Sequence, residues 1–249
     1  MNTLRRFFGL LLLAGLCAPT WAQDKVIRLT SLDWPPYSGD KLEQQGASVA
    51  VARAAAEAMG YTLEVRFLPW ARAVSVASDA SSGVVGYFPE YHSDEVAAQF
   101  LLSDPIGSGP LGFAERRSAP VAWSSLADLK AVAIGTVRDY VNTAEFDAMA
   151  ASGELKVEPV NDDATNLRKV AGGRIPLAVI DRNVMGYLLA NDAALKPQAD
   201  QLQFNARLLE DKQLYIAFQR TPAGQEAARV INEGLKKIDP AAIAAPFFD

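Results

Sequence analysis

Hydrophobic and polar positions switch along the chain between a period of two and a period of 3.6. Val26-Ile27-Arg28-Leu29-Thr30 is a β-rich run, stopped by two prolines in Asp33-Trp34-Pro35-Pro36-Tyr37. Val49, Ala52, Ala56 and Met59 then share one helical face, and Gly60 stands where a helix C-terminus favours glycine. Leu63, Val65 and Phe67 alternate as a strand. Pro69 suits the first turn of a helix over 69–79, and 84–88 is a third short apolar strand. The β-α-β-α-β order then recurs. A strand over 131–135 precedes Asn142 and Glu145, whose capping-box spacing opens a helix ending near Gly153. A strand over 155–160, a helix over 163–171, a strand over 177–180 and a helix over 182–190 follow. Farther on, 214–218 reads as a strand, and Thr221-Pro222 as the cap and first turn of a helix reaching Ile238.

Two such units predict an α/β protein of two lobes, each built on a mainly parallel sheet. Ligands of these sheets bind outside the carboxyl ends of the strands. With two lobes, those ends face each other across a cleft, so the residues following each strand form the candidate site.

The post-strand segments are rich in aromatic residues. Asp33, Trp34 and Tyr37 follow the first strand, Trp70 the second, and Tyr87, Phe88 and Tyr91 the third. Such rings supply apolar walls around a small polar solute, with a few polar groups for orientation. Arg72 lies one turn after Pro69-Trp70. Asp181 directly follows Ala178-Val179-Ile180, where it serves as an N-cap, as a ligand carboxylate, or as both. Tyr140, Val141 and Asn142 open a helix, whose free N–H groups favour an anion such as a carboxylate, with Arg138 and Arg182 close by in sequence.

Composition narrows the chemistry. With 249 residues, half of them apolar and 21% charged, the chain is globular, and a net charge of −5 argues against a nucleic-acid partner. One histidine and one cysteine exclude an internal disulfide and a Cys/His zinc site. His92 has no nucleophile motif beside it and reads as a surface loop residue. Gly107-Ser108-Gly109-Pro110-Leu111-Gly112 matches the dinucleotide fingerprint GxGxxG but does not open a helix. Leu111-Gly112-Phe113-Ala114 follows as a strand-like run, and the motif reads instead as a flexible crossing between lobes. No motif calls for a metal or cofactor.

The N-terminus points to export. Arg5 and Arg6 precede an apolar run over 7–17, too short to span a membrane, and Thr20-Trp21-Ala22 offers small residues at the −3 and −1 positions. This predicts a signal peptide over 1–22 cleaved after Ala22 into the periplasm. Leu16 before Cys17 argues against lipid attachment. Removing 1–22 also removes the lone cysteine, which suits an oxidising compartment.

Several segments, in order, resemble the solute-binding proteins of bacterial ABC importers, specifically the polar amino-acid binding group (family 3). They are DWPPY at 33–37, FLPWARA at 67–73, VVGYFPEY at 84–91, LSDPIGSGPLGF at 102–113, LADLKAVAIGTVRDY at 126–140, GGRIPLAVIDRNV at 172–184 and INEGLKKI at 231–238. The resemblance implies a type II periplasmic binding protein fold with a two-strand hinge. Lobe 1 would take 23–112 and 213–249, and lobe 2 would take 113–212. It places Asp181 against a ligand amino group, Tyr140 to Asn142 against a ligand carboxylate, and Trp34 and Tyr37 in an aromatic wall. The family's carboxylate-binding arginine falls at or beside Val96, where this chain has Glu95 and Val96 and no arginine between Arg72 and Arg116. Pro176 also replaces an acidic residue. A planar guanidinium fork has no simple substitute, so Arg72 becomes the expected cation.

The implied function is that of a monomeric periplasmic receptor. It would close on a small polar, amino-acid-like ligand and deliver it to an inner-membrane ABC permease, without catalysis. One alternative is a ligand sensor of the same fold working with a separate membrane receptor. The other is a cyclohexadienyl dehydratase-like enzyme using Glu90, Glu95 and Asp181.

Overall fold

The computed structural model describes residues 25–248. The expected signal segment, with Arg5, Arg6, Cys17 and the cleavage point at Ala22, lies outside the described residues.

The first half runs β1 (Val26–Ser31), α1 (Ala47–Glu57), β2 (Thr62–Phe67), α2 (Trp70–Ser78), β3 (Gly86–Tyr91), α3 (Asp94–Gln99), the short β4 (Leu101–Leu102) and β5 (Gly107–Arg116). The second continues with β6 (Ala133–Val137), α4 (Ala144–Ala151), β7 (Lys156–Val160), α5 (Asp163–Ala171), β8 (Leu177–Asp181), α6 (Arg182–Asn191), β9 (Leu202–Phe204), β10 (Glu210–Phe218), α7 (Pro222–Leu235) and α8 (Pro240–Ala244).

β1 lies parallel to β2, with Leu29 opposite Val65, and meets β3 at Tyr87. β6 lies parallel to β7 and to β8. Between these two parallel sets, β5 and β10 pair antiparallel from Gly107–Leu214 to Leu111–Glu210. β10 continues onto β3, and β5 onto β8. The two sets are thereby stitched into one curled ladder of order β2-β1-β3-β10-β5-β8-β6-β7. The α/β class and the two-strand crossing agree with the sequence reading. The hydrogen-bonded continuity between the two sheets was not anticipated.

Three local readings need correction. The glycine-rich stretch is the ordered strand β5, not a flexible crossing. The strand-like run over 111–114 is its buried centre, and the strand extends from Gly107 to Arg116 on either side of it. β3 ends at Tyr91, not at Phe88, and all six of its residues are buried. Pro89 would normally break a central strand; here the β10 ladder opposite is irregular between Tyr215 and Ala217, which spares the missing N–H. Finally, Thr143 caps α4 in place of Asn142, accepting the Phe146 N–H at 3.2 Å.

The carboxyl ends of β1 and β3 face those of β6 and β8 through this arrangement. Leu29, Phe88 and Phe218 fill the core beneath the first set, and Phe113, Ile134 and Phe146 that beneath the second. Full burial of one such side chain contributes about 1.5–3 kcal/mol, so the strand ends rest on rigid layers.

Candidate functional site

Asp181 closes β8 and caps α6. Its Oδ1 accepts the N–H groups of Asn183 (2.7 Å) and Val184 (3.1 Å). Its Oδ2 faces the Tyr37 hydroxyl at 3.1 Å. That hydroxyl also accepts from Asn183 Nδ2 at 2.8 Å and lies 3.3 Å from the Ser108 carbonyl. Tyr37 stands on the loop after β1, so this network joins the two strand sets across the cleft. Both Tyr37 and Asp181 are fully buried, and burial pushes the Asp181 pKa up to about 7 against the hydrogen bonds that oppose it.

The glycines of the nucleotide-like motif find their reason here. A Cβ on Gly109 would stand 2.0 Å from Asp181 Oδ2 and 2.3 Å from the Tyr37 hydroxyl, and one on Gly112 would stand 2.6 Å from the Phe204 ring. They are glycines so that β5 can pass beneath the carboxylate and against a neighbouring ring.

A second link crosses the cleft at Trp70, whose Nε1 donates to the Asp139 carbonyl at 2.9 Å. Tyr140, next to Asp139, sets its ring edge-on to Trp70 (5.9 Å) and Trp34 (6.4 Å). Trp34 stacks on Tyr37 at 4.6 Å and meets Tyr91 edge-on at 6.0 Å. Five rings from both strand sets therefore wall one space.

Two further carboxylates are buried beside it. Glu90, on β3, accepts the Tyr91 N–H at 2.8 Å and the Tyr87 hydroxyl at 3.0 Å; burial raises its pKa to about 7. Asp163, the first residue of α5, is also raised to about 7, by burial first and by the charge of Asp181 second. The Trp34 indole and the Tyr91 hydroxyl help hold down the pKa values of Asp163 and Asp181 respectively. Neither Trp34 Nε1 nor Tyr91 Oη, however, has a partner at hydrogen-bonding geometry. Lys212, on β10, is the buried cation of the site. Its ammonium lies 3.5 Å from Glu210 and 5.4 Å from the centre of the Tyr91 ring.

Two small cavities remain inside. One, of about 20 Å³, is lined by Trp34, Trp70, Glu90, Tyr91, Tyr140 and Val141 among others. The other, of about 10 Å³, touches Trp34, Tyr91, Tyr140, Asn142, Asp163 and Asp181. Each has room for about one water. Both share Trp34 and Tyr140 with an open groove of about 890 Å³, which also touches Asp33, Trp70, Arg138 and Asp163.

Trp34, Trp70, Tyr91, Tyr140, Val141, Asn142 and Asp181 thus meet as the sequence led us to expect, with Tyr37 bonded to Asp181 and Asp33 at the rim. Arg72 does not join them: it is exposed on α2 and lines none of these spaces. Phe88 is wholly within the core and borders no cavity. Tyr87 is a support, held between Glu90 and the edges of Trp70 and Phe100. Asn142 is turned to another task, since its N–H and side-chain amide both donate to Asp147 at 2.8 Å. The Tyr140 N–H is taken by the Val137 carbonyl at 3.3 Å. Two of the three expected anion donors at 140–142 are therefore used by the protein itself. Arg182 lies over the Phe204 ring, and His92 and Glu95 are exposed.

Asp163, Lys212 and Asn183 were missed. Asp163 stands three residues beyond the end of β7, where the strand-end rule could have pointed to it, but the sequence pattern marks it only as the start of a helix. Lys212 was hidden because the charges of Glu210-Asp211-Lys212 masked the start of β10.

No family model and no curated protein matches the chain. Solved structures match nearly all of it. A histidine kinase sensor domain with similarity to periplasmic binding proteins is 25% identical, with a TM-score of 0.76 over 90% of this chain and 97% of that one. An ancestral arginine-binding protein bound to arginine is 18% identical, with a TM-score of 0.73 over 90% and 99%. An amino acid ABC transporter substrate-binding protein from Streptococcus pneumoniae, bound to L-arginine, is 14% identical, with a TM-score of 0.69 over 90% and 92%. The chain has the type II periplasmic-binding-protein-like fold. Its solved neighbours are family 3 amino-acid-binding proteins of ABC importers and related sensor domains, at identities that mark this chain as divergent from them.

Proposed function

We propose that this protein is a periplasmic solute receptor, which captures a small polar ligand between two lobes and presents the closed form to an inner-membrane ABC permease. Lobe 1 comprises 23–112 and 213–249, and lobe 2 comprises 113–212, with β5 and β10 as the hinge. The packing of α7 on α1 supports the return of the C-terminal segment to lobe 1. The observation that carries this reading is the Tyr37–Asp181–Asn183 network across the cleft. This network ties the loop after β1 to the start of α6 beside the hinge strand β5, and a ligand that touches both sides shifts the equilibrium toward closure.

The cleft works by binding, without covalent chemistry. Glu95 is exposed, whereas Glu90 and Asp181 are buried, so the three-residue acid/base set of the dehydratase reading is not gathered inside the cleft. No turnover of prephenate or arogenate is expected.

A thermal-shift screen against amino acids, amines and small carboxylates tests the reading. A ligand at 100 times its Kd stabilises by about 2.7 kcal/mol; a flat response throughout would remove it. N-terminal sequencing of the exported protein should begin at Gln23. A sensor working with a separate membrane receptor is the second reading, favoured by the sensor domain among the structural neighbours. Deleting the gene separates the two: a transport receptor loses uptake of its ligand, whereas a sensor loses a transcriptional response with uptake intact.

A further inference from the structure

The cleft combines an excess of buried carboxylate with no built place for an anion. Glu90, Asp163 and Asp181 are each at least nine-tenths buried, and Lys212, the buried cation among them, lies against Glu210. Arg138 stays exposed at the rim of the groove, and Arg72 lies outside it. The helix start at 140–142 has given two of its N–H groups to Val137 and Asp147. A second and independent observation points to a ligand. Tyr91 Oη, on a side chain 6% exposed that lines both inner cavities, has no hydrogen-bond partner; Trp34 Nε1, a donor only, faces Asp163 and offers a cation nothing but its ring. The Tyr91 hydroxyl, whose hydrogen faces Asp181, keeps its lone pairs free to accept from a ligand head, and the rings of Trp34, Trp70 and Tyr140 supply the π faces that attract cations.

Resting on the solute-receptor reading above, we propose that the ligand of this cleft is a small organic ammonium ion that carries no carboxylate. Each inner cavity is about the size of a water, which an –NH₃⁺ head resembles in size and hydrogen-bonding reach. A head in the first cavity donates toward Tyr91 Oη and Glu90, and a head in the second toward Tyr91 Oη, Asp163 and Asp181; the carbon chain lies between the rings along the groove. An α-amino acid would have to bring a carboxylate into the same acidic space with no guanidinium to receive it. A bound metal ion fits less well, because no three acidic, histidine or cysteine side chains converge as metal ligands among the described residues. Burial already holds the three carboxyls near neutrality, so a cation would draw them into their ionised form as it binds.

Matched pairs that differ by the carboxylate test this in calorimetry: agmatine against arginine, cadaverine against lysine, and putrescine against ornithine. The decarboxylated member of at least one pair should bind at least tenfold more tightly than its amino acid. Asp163→Asn and Glu90→Gln, each checked for folding by circular dichroism, should each weaken that amine at least tenfold. An amino acid that binds as tightly as its amine overturns the proposal and leaves the receptor reading standing. Silence from every pair also overturns the proposal, and the receptor reading then rests on the wider screen. Unchanged amine affinity in both variants overturns the assignment of the charge to these carboxylates.

Discussion

Asp163 should make the unliganded protein less stable at neutral pH than it is in mild acid. Its folded pKa is raised from 3.8 to about 7. The folded state therefore keeps a proton that the unfolded chain has already released. The stabilising contribution is fully present below the unfolded value and is lost as pH rises through 7. Three units at 1.36 kcal/mol each put the loss above pH 7 on the order of 4 kcal/mol. Coupling to Asp181 and local relaxation reduce that figure, so we expect Asp163→Asn to stabilise the unliganded protein by about 2–4 kcal/mol at pH 8. At pH 5 most of that cost is not yet incurred, and the gain at pH 8 should exceed the gain at pH 5 by about 2 kcal/mol. Urea unfolding followed by tryptophan fluorescence at both pH values gives the answer as a shift in midpoint at constant slope. An equal gain at both pH values would mean that packing, not ionisation, sets the effect. No gain at pH 8 would refute the reasoning.

Three other outcomes follow from the same geometry. Tyr37→Phe removes the hydroxyl that meets Asp181 and Asn183, so it should cost about 1–3 kcal/mol in urea unfolding and raise the radius of gyration in X-ray scattering as the lobes part. Gly109→Ala places a methyl group on the Asp181 carboxylate; overpacking of about 1–3 kcal/mol and loss of any ligand-induced thermal shift are expected. Arg72→Ala, by contrast, should leave ligand affinity within twofold by calorimetry and stability within about 0.5 kcal/mol, because the side chain is exposed and borders no part of the cleft.

The order of elements was legible because hydrophobic period and helix punctuation are local properties. The strands over 26–30 and 177–180, the helix over 163–171 and the Thr221-Pro222 start all fall within a residue or so of β1, β8, α5 and α7. What was not legible is what depends on distant chain. Of β5 only the run over 111–114 was legible as strand-like; its glycine-rich start was not, because Gly109 and Gly112 answer to Asp181 and Phe204, which lie 72 and 92 residues away. Of the site residues, those following strands were identifiable by position alone, and Trp34, Trp70, Tyr91, Tyr140 and Asp181 do converge. Orientation was beyond reach: no pattern near Asn142 tells that its amide turns to Asp147, or near Arg72 that it points to solvent.

The departures from the family pattern make sense together. The absence of an arginine at or beside Val96 would by itself weaken a site for amino acids. Here the neighbouring anion donors are also satisfied internally, by Asp147 and Val137, and Asp163 adds negative charge where a ligand carboxylate would suffer repulsion. Together the three features fit the cationic ligand proposed above. The stability cost of Asp163 strengthens the point. A buried carboxylate without a cationic partner is expensive to keep, and Asn at that position would pack in nearly the same volume without that cost. Retaining Asp163 is consistent with a role the unliganded fold does not need, and a cation in the cleft would supply the missing partner and recover the cost on binding.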